Sequence, residues 1–408
     1  MSTMVSYHEA VSFAGAIGLD HGVGVRWKDG NDGYFGNAST LEEVWSDLKV
    51  LVPNRGSNGY IQPEPIIVQD FERIVLDMMM IGHKGCFRRL ESQQNEKNAH
   101  GCPEDCPLDH DSDRRSPPSS CDSIDLRSLK GKYRIGTFME GDNGRSYCIL
   151  ATTSILYPWG NVIVDLDASS SKNLSFDCPH PKFDAETGEQ GIRLLKGTRA
   201  RSWIVAGSHR MSNNNIQVTC QPHHYFSDAA HSVNNCFLAA VAAVKFYYES
   251  VVHQDYTSVQ LHGMAKSSCG SIDTFFSHGS CDRSKKGEEK IDILQRIATV
   301  HPLDKGKHAV AGSDDCNLCG STNIEGRLIN GVPRNDLCDT VAKSTNGKFI
   351  QIEQKREYRQ ESAAEFWNNV FNEAYPRFVA LASASNLKDF GDDERELLNV
   401  SDQDCAAS

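Results

Sequence analysis

No stretch of this sequence approaches the ~18 consecutive apolar residues that a membrane-crossing helix needs, so no membrane partner is expected. The chain also lacks a dense Lys/Arg stripe, and its formal net charge is -12. A nucleic-acid surface needs clustered cations to displace phosphate counterions, so no nucleic-acid partner is expected either. The start, MSTMVSYHEAVSFAGAIG, has no basic segment followed by a long apolar core and does not read as a secretory signal. No internal repeat is found. Apolar residues make up 39% of the chain, slightly low for a compact globule, which suggests a normal core diluted by polar insertions.

Cysteine, by contrast, is plentiful. The 14 cysteines are spread through 408 residues, whereas disulfide frameworks are typical of small secreted domains. Mostly reduced thiols and a cytoplasmic protein are the expectation. Two groups stand apart: Cys102, Cys106 and His110, and the CxxC pair Cys316 and Cys319. Together they could form a structural zinc site. Free thiols on insertion loops, or a strained Cys316–Cys319 disulfide, are the alternatives.

The pattern along the chain divides it into four parts. Residues 1–85 form an N-terminal extension. It carries one helix over 39–52 with a Ser N-cap and another over 70–82 ending on Gly. Residues 86–130 are a polar, Cys-containing insertion or linker rich in Pro, Ser and charge. Residues 131–388 form the main domain, and 389–408 an acidic tail. KYRIGTFMEG and RSYCILATT can pair as a hairpin across GDNG. From 161 onward apolar strands alternate with helices, including one over 227–251 capped by Ser227. Segments 267–287 and 302–325 read as loops. Such alternation argues for an α/β fold: a mixed, mainly parallel sheet with helices on both faces.

Reactive side chains sit at the ends of four of these strands, in DCPHPKFDAET, GSHR, QLHG and QIEQ. Ligands of open α/β sheets bind outside the carboxyl ends of the strands. His180 lies between two prolines that hold the backbone extended, and Asp184 follows four residues later. With a distant second histidine, His262 before Gly263, this makes the two-His, one-carboxylate set of a catalytic Zn²⁺ site with a position open to water. A turn in which His180 and Asp184 merely cap each other, and a core His262, are the plainer alternatives. In FIQIEQ, alternation puts Gln351 and Glu353 on one face. A carboxylate in a covered strand is costly unless paired or near a metal, so Glu353 is the candidate general base. A solvent-facing Glu on an edge strand is the other reading. Arg210 offers a planar fork for a substrate carboxylate or an oxyanion, or a structural ion pair. His209, Asp228 and His231 are further candidates for lining the substrate site, the last two on the first turn of the 227–251 helix.

PHPKFDAET, LHG and FIQIEQKREY together resemble the pattern of the N-formylglutamate amidohydrolases and phage poly-γ-glutamate hydrolases, relatives of the zinc carboxypeptidases. The similarity spans roughly residues 160–385. It implies a phosphorylase/hydrolase-like fold, one zinc ion, and hydrolysis of an amide next to a carboxylate-bearing group. The carboxypeptidase pattern has its acid three residues after the histidine. Here the first acid is four after, so Asp184 and Glu186 compete for one ligand position, with Asp184 preferred. GSHRMSNNN and SDAAHS depart from the family. The expected protein is a divergent zinc-dependent amidohydrolase acting on a small or peptide substrate of anionic character. The rivals are a zinc esterase or deacetylase, and a non-catalytic metal-binding scaffold.

Overall fold

A computed structural model describes residues 24–27, 38–81 and 118–376, apart from 142–143, 283–286, 288 and 313–315. Ten strands form one sheet: β1 (Gly24–Trp27), β2 (Tyr133–Met139), β3 (Ser146–Thr152), β4 (Asn161–Asp165), β5 (Lys172–Cys178), β6 (Ala200–Val205), β7 (Thr257–Gly263), β8 (Thr274–Ser277), β9 (His308–Val310) and β10 (Phe349–Gln354). Their order across the sheet is β1-β2-β3-β4-β6-β5-β7-β10-β8-β9. Among the described residues seven α-helices complete the plan: α1 (Leu41–Val50), α2 (Pro65–Met80), α3 (Thr187–Thr198), α4 (Cys236–Phe246), α5 (Lys290–Val300), α6 (Ile324–Ile329) and α7 (Ala364–Ala374).

The sheet is mixed, as expected, but not mainly parallel. Five of the nine pairings are antiparallel. For two of them, β2-β3 and β3-β4, the physical reason is connection length. The links from β2 through β4 are too short for a crossover helix, so these strands run as a meander. The central block β6-β5-β7-β10 is parallel, as is the edge pair β8-β9, and the helical crossovers of the sequence pattern belong to these strands.

Alternation along the central strands sorts the two faces. Trp203 packs edge-on against Trp45 of α1, and Phe176 against Phe371 of α7. The neighbouring Ile204 points the other way, into the cluster formed with α2 and α4. On this second face, register brings Asp177, Gln260 and Gln351 side by side, with His262 beside Glu353 one pleat further on. The sheet is therefore apolar on the α1, α3 and α7 side, and polar at the carboxyl end of the other side.

Local chemistry shifts several boundaries. The N-cap of α1 is Thr40, not Ser39: its side chain and Glu43 close a capping box, while Ser39 also donates to Glu43. α2 begins five residues before Asp70, with Pro65 in its first turn, where a missing N–H is not felt. The expected 227–251 helix starts only at Cys236, capped by Asn235. Ser227 instead holds the Arg210 carbonyl and accepts from the Asn213 N–H, so residues 227–235 fold as a turn against the sheet edge. β8 and β9 lie in segments expected to be loops, and α6 begins at the end of one of them. The GDNG turn lies partly outside the described residues, although β2 and β3 do pair antiparallel. No described helix is long and apolar enough to cross a membrane.

The expectation of reduced thiols is overturned. Among the described residues four disulfides join Cys121–Cys148, Cys220–Cys338, Cys269–Cys316 and Cys281–Cys319. Cys178 and Cys236 are free and buried. Neither Cys316 nor Cys319 is left as a thiolate ligand, so the structural zinc site and the Cys316–Cys319 bridge are both corrected. Cys102, Cys106 and His110 lie outside the described residues. Disulfides persist in oxidising surroundings, which removes the argument for a cytoplasmic protein. Cys220–Cys338 closes the longest loop, with a sequence separation of 118. Replacing both cysteines by Ser is expected to cost about 2–5 kcal/mol, read as a lower urea midpoint. An unchanged midpoint would show that this cross-link does not hold the fold.

Candidate metal centre

β5 delivers His180 through Cys178 and Pro179, and the turn after it folds back on itself. The Asp184 N–H donates to the His180 carbonyl at 2.8 Å and the Thr187 N–H to the Asp184 carbonyl at 3.1 Å. That turn places the Asp184 carboxylate over the end of the sheet. Asp184 Oδ2 lies 3.1 Å from His180 Nδ1 and 3.4 Å from His262 Nδ1. All three side chains are buried. Glu186 goes elsewhere: it adopts a left-handed conformation at the start of α3 and pairs at 3.2 Å with the exposed Arg356. Gly263 is required where it stands, because a Cβ there would meet the Arg359 guanidinium at 2.4 Å. Arg359 in turn donates to the Ala185 carbonyl and so backs the turn that carries Asp184.

The outer nitrogens of both histidines are occupied. His180 Nε2 lies 2.9 Å from Asp228 Oδ1, and His262 Nε2 lies 2.6 Å from Gln260 Oε1. An amide oxygen and a carboxylate can only accept, so each Nε2 donates to its partner; each Nδ1 faces Asp184, itself an acceptor, donating to it when protonated and offering a lone pair only to a cation that lies between them. This is the donor set and tautomer pattern that a divalent ion of the Zn²⁺ type requires, with oriented ligands and partnered outer nitrogens. A second group, His180, Asp228 and His231, is also close enough to hold a cation. It fits less well: Arg210 Nη2 sits 2.5 Å from Asp228 Oδ2 and would repel the ion, and the His231 ring is stacked on His224 at 3.4 Å.

Charge at the site is strongly coupled. Burial raises the Asp184 and Asp228 carboxyls, but contact with the histidines outweighs it and holds both well below the usual carboxylate range. Burial and Arg210 push His180 down, yet Asp228 and Asp184 leave it raised. Burial depresses His262, and pushes His231 down to about 4. Glu353 pairs in register with His262 on the adjacent strand and accepts at 3.1 Å from Gln351. Burial, with Asp184 close by, pushes it up to about 8.

The structure therefore brings His180, Asp184, His262, Glu353, Arg210, Asp228 and His231 to one sheet edge. Of these, His180, His262, Glu353, Arg210 and His231 line a cavity of about 310 Å³. His209 stands aside, its ring against Phe183 and its Nδ1 accepting from the Met211 N–H. Asp228 caps, and His231 ends, a short 3-10 helix at Ala229–His231 that precedes α4, rather than lying on the first turn of a long helix. Sequence reading did not single out Gln260, Asn323 and Glu325. Gln260 was findable, two residues before His262 and so on the same strand face. Asn323 and Glu325 were not, because nothing local to α6 marks its start as facing the site.

No family model matches the chain, and no curated protein is significantly similar to it. Solved structures to which the chain shows partial similarity include a candidate carboxypeptidase A from Shewanella denitrificans, at 12% identity and TM-score 0.26, over 59% of this chain and 62% of that one. A metallo-carboxypeptidase from Burkholderia cenocepacia matches at 8% identity and TM-score 0.27, over 61% and 65%. A candidate carboxypeptidase from Burkholderia mallei matches at 8% and 0.28, over 61% and 64%. The chain thus spans under two thirds of the length of each. At such identities the chemistry rests on the geometry of the site itself.

Beneath the site, Gln260 Oε1 also accepts from Asn323, and Gln260 Nε2 reaches Glu325 Oε2 at 3.4 Å. Glu325 is fully buried, and burial pushes its carboxyl up to about 8. Its folded-state value lies above the ordinary Glu value, so its contribution is present when it is protonated. That contribution is lost as pH rises from about 4.5 towards about 8. Glu325→Gln should flatten the fall in stability over that window, by an amount on the order of a few kcal/mol. Urea midpoints of the two proteins across the window are the measurement. Parallel curves would mean that Glu325 holds no displaced proton.

Proposed function

We propose that this chain is a metal-dependent hydrolase of amide bonds, with His180, Asp184 and His262 holding Zn²⁺ and Glu353 moving the proton. The observation that carries the reading is the convergence of two histidine Nδ1 atoms on one Asp184 oxygen, with Glu353 in register beside His262. A bound Zn²⁺ would supply an acidified water and polarise the scissile carbonyl. The chain's own residues do the rest. Asp228 and Gln260 orient the ligand rings. Glu353 accepts the proton of the attacking water and returns it to the leaving nitrogen. Its raised affinity for protons favours the return step, and a cation beside it would draw the value down towards neutrality. Arg210, at the cavity wall, is placed to support developing negative charge on the carbonyl oxygen.

The four disulfides among the described residues point to an oxidising compartment as the place of work. A non-catalytic scaffold accounts less well for Glu353, since holding a metal gives no reason to line the cavity beside it with a further carboxylate. The substrate carboxylate expected at Arg210 is not carried into this proposal, because Arg210 is already paired with Asp228.

Purified protein should contain about one zinc per chain, by elemental analysis. His180→Ala should lose it while keeping the fold, and Asp184→Ala should weaken chelator-resistant binding more than Glu186→Ala. Protein that neither contains nor takes up zinc would sink the reading, and the reverse order of the two acids would move the ligand to Glu186. In a panel of N-acyl amino acids and peptides, Glu353→Gln should keep the metal and lose about 10²–10⁴-fold in turnover. Full activity in that variant would make Glu353 structural.

A further inference from the structure

The cavity has two unlike walls. One is the candidate metal centre. The other is residues 317–323, which contribute Asn317, Leu318, Gly320, Ser321, Thr322 and Asn323. This second wall is held from both sides. Cys316 is tied to Cys269 and Cys319 to Cys281. The Cys319 carbonyl accepts from Ser277 on β8, and Asn323 is anchored as the cap of α6 and by Gln260. Two cross-links within four residues fix a short loop that has no strand or helix of its own. Rigid walls of this kind discriminate between ligands, because they cannot rearrange to suit a poor fit.

The fixed wall carries amides and hydroxyls but no charge. The cavity's one cation among the described residues is Arg210, and its guanidinium lies 2.5 Å from Asp228, which is fully buried. Asp228 takes up the charge of Arg210, and Asp184 is one of the proposed ligands of the ion, so the lining leaves no Arg or Lys without an acid of its own. A carboxylate brought into this space would lose its water and find no cation of its own, which is costly. A carboxamide or hydroxyl would meet donors and acceptors on Asn317, Ser321 and Thr322.

We propose that the wall 317–323 selects an uncharged, amide-bearing substrate segment, so that the bond cut lies beside a neutral amide rather than beside a free carboxylate. The inference rests on the metal-hydrolase reading and names the substrate class of that same site. A pocket built of neutral hydrogen-bonding groups rejects a charged analogue through the desolvation it cannot repay.

The test uses two hydroxamates of one peptide-like skeleton, one ending in a primary carboxamide and the other in a carboxylate. Binding to the full chain, loaded with zinc and with its metal content measured, is read by calorimetry. The carboxamide is expected to bind at least about ten-fold more tightly. Asn317→Arg, at an exposed position of the wall, should narrow or reverse that preference by adding a cation. Equal binding, or tighter binding of the carboxylate, overturns the inference while leaving the metal centre standing. So does a zinc-loaded protein that binds neither compound. A preference unchanged in Asn317→Arg overturns the assignment of this wall as the discriminator. A chain that takes up no zinc overturns the metal-hydrolase reading and this inference with it.

Discussion

His180 is held between two buried carboxylates, Asp184 at 3.1 Å on one nitrogen and Asp228 at 2.9 Å on the other. Burying two acids at the edge of a sheet is costly unless each is partnered. The surroundings supply those partners one by one. Arg210 and His231 reach Asp228, His262 reaches Asp184, and Gln260 reaches His262. Much of the local architecture follows from this need. The Pro179–His180–Pro181 segment, the turn to Asp184, the late start of α4 and the approach of α6 each bring one member of the network to the sheet edge.

The parallel block explains why the network sits where it does. β5, β7 and β10 run in one direction, and their carboxyl ends lie together. Each strand is apolar for most of its length on one face and turns polar at its end on the other. The apolar side is closed by α1, α3 and α7, with aromatic pairs such as Phe176 and Phe371. The polar side would be unstable against a helix of purely apolar residues. α6 meets it with Asn323 and Glu325, which bond to Gln260. Core and site are thus two ends of one polar-to-apolar gradient across the same strands.

Disulfides enter where secondary structure is weakest. Cys269–Cys316 and Cys281–Cys319 secure the loop that closes the cavity, and Cys220–Cys338 ties the segment after β6 to the end of the α6 region. A short loop rich in Gly, Ser and Asn gains little from burial or from backbone pairing, so covalent links do what packing cannot. Rigid support on one side and a buried ionic network on the other leave a cavity whose shape is fixed before any ligand arrives.

The sequence by itself determined the strands that end in reactive residues. The PHP turn, LHG and QIEQ each state locally that an apolar strand runs into a polar side chain. Alternation of period two was enough to place Glu353 on the face of Gln351. The hairpin of β2 and β3, and most helices longer than ten residues, were legible for the same reason: their pattern repeats over several turns or pleats. What only the tertiary structure decided is non-local. The antiparallel pairings outside that hairpin depend on which strands become neighbours. Disulfide partners depend on loops meeting in space, and a CxxC spacing cannot tell a partner 38 or 47 residues away from one three residues away. Ser227 looks like a cap in sequence but bonds instead to Arg210 and Asn213. Arg210 reads as an open fork in sequence and is an ion pair in the fold. In each case the deciding contact joins residues far apart in the chain, and no local pattern encodes the partner that burial supplies.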